Sequence, residues 1–242
     1  MRIVIIILLS VLFFSCEQRD GKSNLGIDTT KDSLRITNEI EIKKSERFSD
    51  TLYFNIENDS IQNDFIIINL IKDSVVNEIC HNSTFEFIFY KNNTFSYKTK
   101  ENISCYTEGS NWYFLFGLNE KQNLKNYLEI INGYEACGYI QHHFLYDVEN
   151  EIQLIFRYET MSDSGWGEYI EFENIKTNSF SVKKVSFMPV DYNYEDELGI
   201  YEISDSVKFE KKNKKWKKIV LSRKGQIIKT DTISFSEFHK IE

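Results

Sequence analysis

Apolar and polar residues alternate with a period of two along most of the chain beyond residue 50. Phe85, Phe87 and Phe89, for example, are separated by Glu86 and Ile88. This period places successive side chains on opposite faces of a β-strand, so it predicts strands with one buried face. The strands predicted from the alternation and from continuous apolar runs lie at 52–56, 65–71, 85–90, 94–100, 112–116, 139–147, 152–159, 169–175, 180–188, 206–211, 216–221 and 226–235.

Short polar segments separate several of these strands and are typical of hairpin turns. Asparagine and glycine adopt the positive φ angles that tight turns between antiparallel strands require. The turn candidates are Asn92-Asn93, Glu149-Asn150, Asn213 and Lys224-Gly225. Sequential hairpins give an antiparallel meander. The predicted fold class is therefore all-β, as either a closed barrel or a two-sheet sandwich.

One stretch has the spacing of a helix. Apolar residues recur at helical spacing within 120–131, and Asn132-Gly133 is a typical signal for the end of a helix. We therefore predict one short helix near 120–131. Residues 127–131 also fit a strand, which is the alternative interpretation of the same pattern.

The chain begins with one positive charge, an apolar run at 3–14 and a small residue before a cysteine. The run is shorter than the roughly 20 apolar residues that span a bilayer, and it predicts a signal peptide at 1–15. Its end resembles the lipobox of Bacteroidota-type bacterial lipoproteins, in the residues Phe13-Phe14-Ser15-Cys16. The resemblance implies that Cys16 is lipidated, with palmitate among its acyl chains. The alternative is an ordinary signal peptide in which Cys16 is incidental.

The sequence after Cys16 is typical of a flexible tether. Residues 17–24 include no apolar side chain, and such sequence cannot repay the entropy of ordering. We predict a lipidated N-terminus and flexible tether at 16–49 and a single β-rich domain at 50–242. The lipoprotein resemblance implies an outer-membrane protein of the cell envelope, and it fits both the periplasmic face and the cell surface.

Composition and charge narrow the range of partners. The chain of 242 residues is 41% hydrophobic and has a net charge of -8. It has enough apolar residues to build a sizeable core. Its net negative charge argues against nucleic-acid binding, which starts from a basic surface. No spacing of cysteine and histidine predicts zinc, and we expect no metal or cofactor. Cys80, Cys105 and Cys137 allow one disulfide and a free thiol, or three free thiols.

One stretch of the predicted domain is similar to the meander of lipocalin-like bacterial lipoproteins. Residues 85–95 read FEFIFYKNNTF, and Trp112-Tyr113-Phe114 follow on a later strand. In that family a strand, a tight turn, a second strand and a tryptophan-bearing strand follow one another. The resemblance implies a closed barrel, which removes exposed sheet edges.

Two features are candidate ligand-binding sites. Trp166 and Tyr169 lie in the stretch 162–169 among small, flexible residues, and a tryptophan on a loop can stack on a sugar or anchor a partner. The alternative is that Trp166 folds back as a plug over one end of the domain. His142 and His143 are adjacent, so on a strand they point to opposite faces and do not easily share a metal.

An aspartate followed by serine or threonine recurs along the chain. The pattern resembles the O-glycosylation acceptor motif of exported Bacteroidota proteins, although Asp-Ser is also common in turns before strands. The hydroxyl residues that the resemblance marks are Thr29, Ser33, Thr51, Ser60, Ser74, Ser206 and Thr232.

These features favour a non-catalytic binding or structural module, attached to the membrane through its N-terminal lipid. Its expected partner is a glycan or another envelope protein. No nucleophile elbow and no recognisable Cys/His catalytic signature occurs in the sequence. One alternative is a glycan-binding or glycan-processing component of an outer-membrane nutrient-uptake system. The other is an apolar-ligand carrier with a lipocalin-like barrel.

Replacing Cys16 with serine tests the anchoring prediction. We expect the Cys16→Ser chain to incorporate no alkyne-palmitate and to leave the membrane fraction, because each buried acyl methylene contributes about 0.8 kcal/mol to anchoring. In-gel fluorescence of the labelled full chain in a bacterial host measures incorporation. Ser15→Ala keeps a small residue before the cysteine and serves as the control. Labelling that persists in Cys16→Ser would contradict the prediction.

Overall fold

The computed structural model describes residues 48–54, 64–76, 79–104, 110–118, 124, 126–133, 139–190 and 198–241. All of them belong to a compact unit spanning Asn38–Glu242. Cys16, the predicted signal peptide at 1–15 and the tether up to residue 47 lie outside the described residues.

The described chain is built almost entirely from antiparallel strands, which confirms the all-β prediction. Every predicted strand overlaps an observed one. The strands are β1 (Ser49–Phe54), β2 (Asp64–Val76), β3 (Ile79–Lys91), β4 (Thr94–Ile103), β5 (Asn111–Phe116), β6 (Tyr127–Gly133), β7 (Tyr139–Asp147), β8 (Gln153–Asp163), β9 (Trp166–Lys176), β10 (Ser179–Pro189), β11 (Leu198–Lys212), β12 (Lys215–Val220) and β13 (Ile227–Ser234). One helix, α1 (Phe235–Ile241), follows them. Within the described ranges, no helix combines the length and the apolar character needed to cross a membrane.

The strands form two antiparallel meanders. Sheet A has the order β1-β2-β3-β4, and sheet B has the order β12-β11-β10-β9-β8-β7-β6-β5. β11 pairs with β12 along Val207–Lys212 and with β13 along Leu198–Ser204. In the part of the chain that the structure describes, no backbone pairing joins sheet A to sheet B. The arrangement is therefore one of packed sheets rather than the single closed barrel.

Several hairpin turns have the backbone that their residues predict. Asn92 and Asn93 have φ angles of 50° and 58°, and Asn213 and Lys214 have 51° and 64°. Positive φ at both central residues is the signature of a type I′ turn, whose twist matches the flanking strands. The Asp64 carboxylate secures the first turn by accepting the Asn92 N–H at 2.8 Å. The turns predicted at Asn92-Asn93 and at Asn213 are confirmed.

β6 and β7 lie between two hydrophobic clusters. Ile130, Phe144 and Tyr146 pack against the phenylalanines of β3, and the Phe87 and Phe144 rings meet edge to face at 5.3 Å. The other faces of the two strands carry Tyr127 and Leu145, which pack against residues of β10 and β11. The two strands therefore form a layer shared by both cores.

The predicted helix at 120–131 is wrong for residues 127–131. This segment is the first part of β6, all seven of whose residues are buried. Strands covered on both faces are continuous apolar runs, and such a run can mimic the spacing of a helix. The alternative strand interpretation is the correct one. Residues 119–123 and 125 lie outside the described chain.

The helix α1 packs on a third hydrophobic cluster, which includes Val185, Phe187, Tyr201 and Ile203. Ser234 and Glu237 form a capping box: the Glu237 N–H donates to Ser234 Oγ at 3.2 Å, and the Ser234 N–H donates to the Glu237 carboxylate at 2.9 Å. The helix thereby presents Phe238, whose ring stacks on Phe187 at 4.2 Å. Phe238 closes one side of the cleft described below.

Truncating Phe144 tests the two-sided packing of β7. We expect Phe144→Ala to lower the free energy of unfolding by about 3–5 kcal/mol, because it removes a buried ring and leaves a cavity. Phe95 is 58% exposed, and Phe95→Ala should cost less than about 1 kcal/mol. Urea denaturation of both variants measures the difference. Equal losses would show that Phe144 is not part of a filled core.

Candidate functional site

A cleft of about 460 Å³ opens on the face of β6 that points away from sheet A. Strands β5, β6, β8, β9, β10 and β11 line it together with α1, so the bending of sheet B on itself creates it. Its apolar walls include Leu115, Phe116, Ile170, Phe172, Val185 and Phe238. Pockets of a few hundred Å3 lined by aromatic side chains are typical small-molecule sites.

Glu129 lies in the lining of this cleft, within the apolar run of β6. It is only 7% exposed. Tyr158 Oη donates a hydrogen bond to Glu129 Oε1, and His143 Nδ1 lies 3.0 Å from the same oxygen. Among the described residues, nothing donates a hydrogen bond to Glu129 Oε2. One carboxylate oxygen of this cleft residue therefore has no hydrogen-bond donor in the described chain.

His143 joins Glu129 to β8 in this network. Its Nε2 lies 2.9 Å from Thr160 Oγ1, and the Tyr158 ring stacks on the imidazole at 4.4 Å. Nδ1 contacts Glu129 and Nε2 contacts Thr160, so both ring nitrogens have partners.

The Tyr158 hydroxyl is held in its protonated form. Burial, and then the negative charge of Glu129, raise the pKa of Tyr158 well above its ordinary value. The hydroxyl therefore donates to Glu129 at any physiological pH, which fixes the orientation of the carboxylate.

Tyrosine rings and a second carboxylate complete the lining. Tyr169 Oη donates to the Gly165 carbonyl at 2.8 Å, which fixes the ring beside the cleft. Tyr201 and Glu171 lie on neighbouring parts of the lining. Partial burial and the charge of Glu171 raise the pKa of Tyr201, against the opposing charges of Lys229 and Lys183.

A separate polar network lies on the opposite face of β7, towards sheet A. Glu101 accepts a hydrogen bond from Tyr146 Oη at 3.0 Å, and its other oxygen is 2.7 Å from Arg157 Nη2. Burial raises the pKa of Glu101, although Arg157, Tyr146 and Thr99 oppose the shift. This network joins the two sheets and takes no part in lining the cleft.

The structure separates the predicted site residues. Tyr169 lines the cleft, and His143 lies behind Glu129. His142 is buried on the opposite face of β7, where its Nδ1 lies 3.1 Å from Glu159 Oε1. Trp166 stacks on Phe187 at 4.5 Å and is not part of the lining.

The candidate binding loop at 162–169 is a tight hairpin in the structure. β8 extends to Asp163 and β9 begins at Trp166, so only Ser164 and Gly165 form the turn. Their φ angles of 52° and 89° are those of a tight hairpin. Trp166 folds back onto the third cluster, as the alternative interpretation proposed.

The other two tryptophans also pack inside the domain. Trp112 is 5% exposed and lies in the core between the sheets. Trp216 packs against the rings of Tyr127 and Phe180 and donates its Nε1–H to Asp147 at 2.7 Å. The indoles are thus used for packing, and tyrosines provide the aromatic surface of the cleft.

Sequence reasoning missed Glu129, Tyr158 and Tyr201 as site residues. Glu129 could have been identified from the sequence, because it is the charged residue within the apolar run Tyr127–Gly133. A buried charge in such a run requires partners. Identifying the partners from sequence would have required the pairing of β6, β7 and β8.

The candidate glycosylation residues have different surroundings. Thr29, Ser33 and Ser60 lie outside the described residues. Ser74 lies on β2, Thr51 is half-buried on β1, and Thr232 is exposed on β13. Ser206 is only 8% exposed within β11. An acceptor hydroxyl must reach solvent, so Thr232 has the most suitable position and Ser206 the least.

Most of the predictions for the cysteines concern residues outside the described chain. The backbone of Cys80 belongs to β3, whereas Cys105 and Cys137 lie outside the described residues. In the described ranges, no group of three or more histidine, cysteine, aspartate or glutamate side chains is placed to hold a metal ion.

Comparison of the chain with protein-family models, with curated protein sequences and with solved structures found no match.

The burial of His142 predicts a pH dependence of stability. Burial lowers the pKa of His142 below its ordinary value, against the charge of Glu159. The unfolded chain binds this proton below about pH 6.5 and the folded chain only at lower pH, so stability falls as the pH drops through this window. We expect His142→Gln to lose less stability than the wild type between pH 7.5 and 5.5. Urea denaturation at both pH values measures this, and identical losses would contradict it.

Proposed function

We propose that this protein is a membrane-anchored lipoprotein of the cell envelope that acts as a non-catalytic binding module. Its lipid at Cys16 would hold it on the outer membrane, and its ligand would occupy the cleft beside β6. The observation that carries the proposal is the combination of a 460 Å³ cleft with a buried carboxylate, Glu129, whose second oxygen has no partner among the described residues.

The support for binding comes from how the cleft is built. Tyr158 and His143 hold one oxygen of the Glu129 carboxylate, so its orientation is set before a ligand arrives. Aromatic side chains in the walls provide contact area at a low cost in conformational entropy. A preformed apolar pocket with a few fixed polar groups is the common form of a small-molecule site.

The two alternative functions receive different support. A glycan-binding role fits the tyrosines and carboxylates of the cleft, although the three tryptophans pack elsewhere. An apolar-ligand carrier fits less well, because Glu129 and Glu171 are both in the lining. An apolar ligand would bury these carboxylates without offering them hydrogen bonds, which is unfavourable.

Blocking the cleft tests the proposed function. Leu115 lines the cleft and is 48% exposed, so Leu115→Trp should obstruct the cleft with little effect on folding. Ile140 is 45% exposed and lies outside the lining, so Ile140→Trp is the matched control. The full chain in detergent is screened by thermal shift against sugars, fatty acids, and primary and quaternary amines.

We expect at least one compound to raise the Tm of the wild type and of Ile140→Trp by about 2 °C or more, and that of Leu115→Trp by much less. Ligand at 100 times its Kd stabilises by about 2.7 kcal/mol, and 1 kcal/mol shifts the Tm of a domain of this size by about 2–4 °C. The proposal is wrong if no compound shifts the wild type, or if Leu115→Trp responds equally.

A further inference from the structure

We infer that the cleft binds a small organic cation, with the carboxylate of Glu129 as its counter-ion. This inference rests on the proposed function, since it names the chemical class of ligand that the same site accepts. It depends on three observations: the charge of the lining, the incomplete pairing of Glu129, and the rings that surround the carboxylate.

The lining is acidic. Glu129 and Glu171 both contribute to it, and no lysine, arginine or histidine does so among the described residues. Neither glutamate forms an ion pair with a lysine or arginine in the described chain. The lysines nearest to Tyr201 have other partners: Lys183 bonds Glu173, and Lys229 lies 2.7 Å from Asp231. No lysine or arginine of the described chain therefore neutralises the two glutamates of the cleft.

Glu129 differs from two other buried acids, Glu101 on β4 and Asp147 on β7. Glu101 has Arg157 at 2.7 Å, and Asp147 has Lys211 at 2.6 Å. A buried carboxylate is usually paired with a cation because an uncompensated charge in a low-dielectric site is costly. Among the described residues, Glu129 has only two hydrogen-bond donors, both directed at the same oxygen. A cation at Oε2 would complete the pairing that Glu101 and Asp147 already have.

The rings around the carboxylate suit an ammonium group. Tyr158, Tyr169, Tyr201 and Phe172 all belong to the lining. Aromatic faces attract cations through their quadrupole, most strongly where water is excluded. Tyr201 already takes part in such a contact, because the ammonium of Lys229 lies 5.4 Å from its ring centroid. Carboxylate and aromatic rings together are the usual surroundings of bound amines and quaternary ammonium groups.

A neutral sugar would meet these requirements only in part. A hydroxyl can donate to Glu129 Oε2, yet it brings no positive charge to the two glutamates of the lining. An ammonium group adds a direct Coulomb attraction to these carboxylates. The cleft should therefore discriminate by charge between ligands of the same shape.

Choline and 3,3-dimethylbutan-1-ol test this discrimination, because they share a shape and differ in charge. Isothermal titration of the full chain in detergent should give choline at least a tenfold lower Kd than its neutral isostere. Benzyltrimethylammonium and benzylamine extend the test to a larger and to a primary ammonium. The inference is overturned if none of the three cations binds, or if choline and its isostere bind equally.

Variants that each remove one carboxylate charge show which glutamate binds the cation. Glu129→Gln should weaken cation binding at least tenfold, whereas Glu173→Gln, whose carboxylate bonds Lys183 outside the lining, should change it less than twofold. If Glu129→Gln loses cooperative unfolding, Glu171→Gln replaces it, with a loss of at least threefold expected. Unchanged binding in the variant that folds would overturn the inference.

The same titrations separate the inference from the proposed function. If a sugar or fatty acid binds, Leu115→Trp prevents it and no cation binds, the cleft is a ligand site and the cation inference fails alone. If no compound of any class binds, both fail.

Discussion

The burial of β6 and β7 on both faces is the constraint on which the rest of the structure depends. One face of this pair completes the core with sheet A, and the other face completes the core inside the bent sheet B. Fully burying an aromatic or aliphatic side chain contributes about 1.5–3 kcal/mol, and here one pair of strands contributes to two cores at once. Losing a large side chain from this layer affects both sides, because interiors are close-packed.

The same constraint explains why the carboxylate of Glu129 is held in one position at the cleft. A strand with two dry faces has no solvent side on which to place a polar residue, so any acid there must find partners within the protein. Glu129 finds them in Tyr158 and His143, which the pairing of β6, β7 and β8 brings to the same face. These contacts occupy one of its oxygens. Glu129 lies in the lining of the cleft, to which the bending of sheet B also brings tyrosines from β8, β9 and β11.

Local sequence patterns were enough to predict the strands other than β6 and most of their turns. Period-two alternation and the asparagine turns depend on neighbouring residues, and Asn92 and Asn213 adopt the predicted backbone. The errors occur where long-range packing decides. β6 was mistaken for a helix because its second buried face is invisible in the sequence, and 162–169 was mistaken for a loop because Trp166 packs on a distant phenylalanine, Phe187.

The candidate site was predictable only in part for the same reason. Tyr169 and His143 were singled out by residue type, and the structure places both at or behind the cleft. Glu129 and Tyr158 become partners only through strand pairing across β7, which no local pattern specifies. The tryptophans drew attention as binding residues, yet large aromatic side chains serve cores as readily as surfaces.

Hydrogen exchange of the full chain, followed by mass spectrometry, tests most directly whether β6 and β7 form the shared central layer. Amides of Tyr127–Gly133 and Tyr139–Asp147 should exchange slowest and only through global unfolding, whereas those of the exposed strand Ile227–Ser234 should exchange through local opening. Exchange of β6 and β7 as fast as that of β13 would contradict the account, because the cleft would then lack the rigid wall that orients Glu129.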